Sequence, residues 1–160
     1  IMEITGPDGV RTVPIHDFYI SAGKVDLKHG ELLTSILIKK ESYENYYGHY
    51  IKYAMRNAMD IATTGCSANV KLSDDKKTIV SARIAYGVAA PVPIRAKSAE
   101  EFLNGKEATA ENIAAFAKKA LDDVNPRTSW RASKELRLQL IEELSKRAMT
   151  EAVRLAGGEI

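Results

Sequence analysis

Ala68-Asn69-Val70-Lys71-Leu72, Ser73-Asp74-Asp75-Lys76-Lys77 and Ile79-Val80-Ser81-Ala82-Arg83-Ile84-Ala85-Tyr86, read in succession, decide the fold. In the first piece Ala68, Val70 and Leu72 alternate with polar residues, the period of two that gives each face of a strand its own side chains. The middle piece is polar and suits a turn. The last is a β-branched run that returns along the first, so the three predict an antiparallel hairpin. Upstream, Tyr47, His49, Ile51 and Tyr53 alternate with Tyr46, Gly48, Tyr50, Lys52 and Ala54, which adds a third strand and completes a meander.

After Ala90-Pro91-Val92-Pro93 the period becomes helical. Ser98-Ala99-Glu100-Glu101 has the spacing of a capping box, and Gly105 closes that short helix. Thr109 can cap a second helix whose Ile113, Phe116, Ala117, Ala120, Leu121 and Val124 make one apolar stripe up to Pro126. Ser133 can cap a long third helix with Leu136, Leu140, Ile141, Leu144 and Ala148 on one face, ended by Gly157-Gly158. Strands first and helices after predict an α+β domain, a three-stranded antiparallel sheet with helices packed on one face.

The opening of the chain reads differently. Gly6-Pro7-Asp8-Gly9 is a tight-turn signal, because proline presets φ and glycine accepts positive φ, and Arg11 to Ile15 would be the returning strand. Leu32 to Ile38 is apolar enough for a third strand covered on both faces. Three short strands without a covering helix leave free edges and an unburied face. Residues 1–40 are therefore expected to be the close of a preceding domain, and 41–160 the α+β domain.

Composition sets the outer bounds. A chain of 160 residues can bury roughly 70% of its unfolded surface, so no metal or disulfide is needed to hold it. With 45% hydrophobic and 28% charged residues it matches an ordinary globular protein, and no apolar run approaches the ~20 residues of a membrane-spanning helix. Lys+Arg 23 against Asp+Glu 21 leaves +2 with no basic stripe, which argues against nucleic acid. The single Cys66 lies in a small apolar stretch and reads as a buried structural thiol. Without a leader-like opening, a reducing cytoplasm is the expected compartment.

No self-sufficient active site is visible. His16, His29 and His49 lack metal spacing, and no nucleophile elbow, phosphate loop or dinucleotide fingerprint occurs. Asp122-Asp123 and Glu142-Glu143 read as solvated helix faces. The cluster Tyr43, Tyr46, Tyr47, Tyr50 and Tyr53 could stack on a flat cofactor, but packing is the commoner use of tyrosines at strand spacing. Lys52 and Arg56, at the exit of one strand and followed by Asp60, could meet a phosphate or a reduced flavin's charge. From spacing alone an Arg56–Asp60 salt bridge is the better expectation.

Four segments together resemble one family, the flavin subunit of molybdenum hydroxylases of the xanthine dehydrogenase and carbon monoxide dehydrogenase type. Val13-Pro14-Ile15-His16-Asp17-Phe18-Tyr19, with Leu27 to Ile36, is similar to the close of that family's FAD-binding domain. Tyr50-Ile51-Lys52-Tyr53-Ala54-Met55-Arg56, with Asp60-Ile61-Ala62, resembles the opening of its C-terminal domain. Ala82 to Arg95, then Ala99-Glu100 and Leu103-Asn104-Gly105, resembles the next block. Ser129-Trp130-Arg131-Ala132-Ser133-Lys134-Glu135-Leu136-Arg137 looks like the approach to its last helix.

The resemblance implies part of an oxidoreductase complex. Electrons taken from a substrate at a molybdenum cofactor in one partner subunit would pass through 2Fe-2S clusters in another to FAD, and from FAD to NAD. It also implies that glycine-rich loops of an N-terminal FAD-binding half, a further partner, hold most of the cofactor. Position by position, Leu33 would offer FAD an apolar contact and Lys52 a positive charge, with Arg56 and Asp60 orienting Lys52. The resemblance assigns this chain no catalytic residue and no metal ligand. An alternative of another class is a module that only docks the subunits of the same complex.

Overall fold

A computed structural model describes residues 1–160. The chain forms two compact units, Ile1–Glu44 and Asn45–Ile160. In the first, β1 (Met2–Gly6) and β2 (Gly9–Val13) make a hairpin around Pro7-Asp8, closed where Gly6 faces Gly9; Gly9 has φ +112°, open to glycine and costly for other residues. A one-turn helix α1 (Ile15–Phe18) and a small hairpin of β3 (Tyr19–Ser21) and β4 (Lys24–Val25) follow. β5 (Leu32–Ile36) then pairs antiparallel with the other side of β1, giving the order β2-β1-β5.

β5 is not covered on both faces as its apolar run predicts. Within these residues it pairs only with β1, Leu32 is 71% exposed and Ile36 is also open, while Met2, Ile4, Val13 and Phe18 are buried. A polar clamp supplements that core. The Arg11 guanidinium donates from Nε and Nη2 to the two carboxylate oxygens of Glu31, at 2.8 and 2.7 Å, and from Nη1 to Asp26 at 2.8 Å. The Arg11 hydrogen bonds and the Lys28 N–H pull the Glu31 carboxyl down to about 2.

The second unit carries the predicted meander and a fourth, two-residue strand. β6 (Tyr47–Tyr53), β7 (Thr64–Leu72), β8 (Ile79–Gly87) and β9 (Ile94–Arg95) are antiparallel neighbours in that order. Cys66, Ala68 and Val70 of β7 and Ala82, Ile84 and Tyr86 of β8 point inward. They meet α2 (Lys97–Leu103) and α4 (Lys134–Leu155), and α3 (Ala110–Lys119) packs against both of these helices. Phe116, Ile113, Ile141 and Met149 fill this core, each large side chain contributing about 1.5–3 kcal/mol by leaving water. Burial pushes the Cys66 thiol up to about 12, which fits an inert packing role.

Two predicted caps are present: Thr109 Oγ1 accepts the Asn112 N–H and Ser133 Oγ the Leu136 N–H, both at 3.2 Å. At the far end of α4, Gly158 N–H reaches Val153 O and Gly157 N–H reaches Arg154 O, the paired closure that a left-handed Gly157 allows. The capping box at Ser98 does not form. α2 begins at Lys97, and Ser98 gives its N–H and hydroxyl to the Asp123 carboxylate at 2.9 and 2.6 Å. Asp123 is thus a tertiary cap and not a solvated charge. Glu100, expected within that box, is buried and accepts the Ile84 N–H and the Arg95 guanidinium. α3 also stops short of Pro126, tightening into a 3₁₀ turn over Ala120–Asp123. On α4 the expected inner face is present, with Ile141, Leu144 and Ala148 buried, except at its first position, where Leu136 is exposed and Arg137 is buried.

Candidate flavin-contact site

Lys52 lies on β6 opposite Gly65 of β7, on the sheet face away from the helices. Gly65 has a reason there, since a Cβ would come within 2.9 Å of the Tyr50 hydroxyl, so the absence of a side chain lets the Tyr50 ring lie across the sheet. Residues 54–63 connect β6 to β7 and are closed at the base by Thr63 N–H to Tyr53 O at 2.8 Å.

Asp60 organises this connection. Its carboxylate accepts the N–H groups of Met55, Arg56 and Ile61 at 2.7, 3.2 and 2.9 Å. Partial desolvation opposes ionisation, yet these donors and the charge of Arg56 outweigh it and hold the carboxyl below its usual range. The expected Arg56–Asp60 salt bridge does not form, because backbone donors occupy the carboxylate. Arg56 turns to Met59 O at 2.6 Å, and Lys52 Nζ donates to Asp60 O at 2.5 Å. Met59 has φ +52° and is 93% exposed, a strained non-glycine residue at the crest. Lys52, Ala54, Arg56, Asn57, Met59 and Asp60 line a pocket of about 300 Å³ with two cations on its wall.

Leu33 belongs to the first unit. It sits on β5 facing Ile4 and is 37% exposed, free to make an apolar contact. Of the five clustered tyrosines, Tyr47, Tyr50 and Tyr53 on the edge strand β6 and Tyr43 before it are exposed, contrary to the packing role their spacing favours. Tyr46 alone is partly enclosed: its hydroxyl contacts Ser81 Oγ and the Arg83 guanidinium, which also lies 4.0 Å above its ring.

One residue of the site escaped sequence reasoning. Arg137 of α4 reaches the carbonyl of Thr63 at 2.7 Å with Nη1 and Ser129 Oγ at 2.8 Å with Nη2, tying the base of the Asp60 loop to the long helix. Its position within an otherwise apolar face was the only signal. No group of three or more His, Cys, Asp or Glu is placed to hold a metal, and no helix is long and apolar enough to cross a membrane.

In the second unit the Lys52 ammonium and the polar pocket beside it offer positive charge to an anionic group, and in the first, taken by itself, Leu33 offers exposed apolar surface. Neither unit has a glycine-rich loop whose amides could cradle a diphosphate.

The family described as the CO dehydrogenase flavoprotein C-terminal domain matches residues 49–152. The Escherichia coli O157:H7 xanthine dehydrogenase FAD-binding subunit is 43% identical over 159 residues, which is 99% of this chain and 54% of that protein. The structure of quinoline 2-oxidoreductase from Pseudomonas putida 86 superposes with a TM-score of 0.82 at 26% identity, covering 97% of this chain and 52% of the other. Carbon monoxide dehydrogenase from Hydrogenophaga pseudoflava does so with a TM-score of 0.81 at 27% identity, covering 97% and 52%. The chain thus spans about half the length of the relatives it matches, and it belongs to the CO dehydrogenase flavoprotein C-terminal domain family.

Proposed function

We infer that this chain is the C-terminal part of the FAD-binding medium subunit of a xanthine dehydrogenase-like molybdenum hydroxylase. The observation that carries the reading is the Lys52–Asp60 arrangement inside a domain of that family: a lysine held by a loop carbonyl beside an open cationic pocket. FAD, when bound, supplies the exchange between one-electron iron-sulfur carriers and a two-electron acceptor. Lys52 sets a positive charge where reduction adds negative charge, Asp60 holds Lys52 at a fixed height, and Leu33 gives an apolar contact. The first 40 residues are read as the close of the FAD-binding domain, and the diphosphate is left to the N-terminal half. The molybdenum cofactor and 2Fe-2S clusters belong to partner subunits, the acceptor is NAD, and the compartment is the cytoplasm.

The test is titration calorimetry of the chain with FAD, with and without the N-terminal half, followed by Lys52→Ala in the assembled complex. Expected are binding only when both halves are present and a flavin midpoint potential lowered by Lys52→Ala, since a lost cation disfavours the reduced anion. No interaction between the halves would end the reading. Unchanged flavin content, potential and reduction rate in Lys52→Ala would favour the docking role alone. Flavin reoxidation on mixing with NAD under anaerobic conditions decides the acceptor.

A further inference from the structure

Between the 3₁₀ turn and α4 the chain builds a small, rigid projection. Ser129 N–H donates to Ala132 O at 3.0 Å and Ala132 N–H to Ser129 O at 3.3 Å, so Trp130 and Arg131 form the tip of a two-residue reversal. Trp130 is the only tryptophan of the chain and is 79% exposed, and the Arg131 guanidinium stacks 4.2 Å over its ring. The turn is held from beneath: Ser129 Oγ accepts from Arg137 Nη2, and Ala132 is buried. An indole kept in water on a fixed support is the side chain most enriched among residues that dominate protein interfaces, with arginine beside it in that ranking.

The charge here is lopsided although the chain is nearly balanced. Residues 127–137 contain Arg127, Arg131, Lys134 and Arg137 against Glu135 alone. The Glu135 carboxylate is engaged at the start of α4 by its own N–H and the Ser133 hydroxyl. Lys134 Nζ goes to the neutral Asn125 at 2.9 Å, and Arg137, only 2% exposed, has two neutral acceptors and an unpartnered Nε. A buried guanidinium without a carboxylate is costly, and the nearby charges of Arg127 and Arg131 add to that cost.

We propose that the Trp130-Arg131 turn docks a carboxylate-bearing segment of a partner polypeptide, the indole covering apolar surface while Arg131 and Arg127 pair with the carboxylates. Charge-assisted pairs of this kind are directional and discharge the local excess. Only the partner's identity, a subunit of the hydroxylase complex, rests on the function proposed above.

Trp130 provides its own reporter. The chain is titrated with a glutamate-rich peptide, a glutamine peptide of equal length and a single-stranded oligonucleotide, following tryptophan emission at several salt concentrations. Expected is a blue shift with the glutamate peptide alone, weakening with salt, and an affinity at least about tenfold lower in Arg131→Glu than in the remote charge reversal Lys118→Glu. Equal affinities in the two variants would overturn the proposal, and preference for the oligonucleotide would replace it with a phosphate ligand. In the complex, Trp130→Ala and Arg131→Glu are expected to weaken assembly about tenfold with unchanged thermal unfolding of the chain. Assembly of both variants at wild-type strength would also overturn it. Failure of the wild-type chain to assemble would remove the named partner and the proposed function, while the peptide titration still decides the docking turn.

Discussion

The two units stabilise themselves by different means. Asn45–Ile160 closes a sheet against three helices over a continuous core that includes Val70, Ile84, Tyr86, Phe116, Ile141 and Met149. Ile1–Glu44 has four buried apolar residues and leans on a charged clamp around Arg11. The contrast teaches that similar local strand patterns have unequal support: a strand is buried only where helices or a second sheet can cover it. Leu32 and Ile36 of β5 are exposed within the smaller unit.

The largest expected effect sharpens the contrast from the side of the larger unit. Phe116→Ala removes a ring from the middle of the core and should cost about 3–5 kcal/mol in urea unfolding followed by helical circular dichroism. A loss below about 1 kcal/mol would show that the helices are held by something other than this core.

Ile4→Ala strikes the smaller unit and should cost about 2–5 kcal/mol, enough to open a core of this size. Limited proteolysis should then cut within residues 1–44 while leaving 45–160 protected. Equal protection of both would break the proposed difference in support. Ser133→Ala should remove about 1 kcal/mol through the lost cap of α4, measured by the same urea unfolding, whereas Ser98→Ala loses a tertiary bond to Asp123 and no helix cap of its own.

The mildest perturbation is acid. The Glu31 carboxyl lies lower in the folded chain, at about 2, than its ordinary value of 4.5, so its contribution is complete above 4.5 and is lost as pH falls from 4.5 toward 2. Carboxyl resonances of Glu31 followed through that window should titrate late, and Arg11→Met should return them to the ordinary range. An unshifted Glu31 in the wild-type chain would remove the clamp from the account.

Residues with local meaning were legible in the sequence. The Ser73–Lys77 turn, the two strands around it, the Thr109 and Ser133 caps and the Gly157-Gly158 closure depend on neighbours a few positions away. Lys52 stood out as a cation at a strand exit, but its orientation did not. Asp60 was expected to pair with the Arg56 side chain and instead gathers backbone N–H groups, which spacing cannot distinguish from an ion pair.

Tertiary structure decided what depends on partners far along the chain. Asp123 holds Ser98, 25 residues earlier at the start of α2, and Arg137 reaches back 74 residues to Thr63. The exposure of the tyrosines and of β5 was also settled there. Period and composition report which face of an element is apolar, whereas burial and long-range hydrogen bonds depend on what the rest of the chain brings against that face.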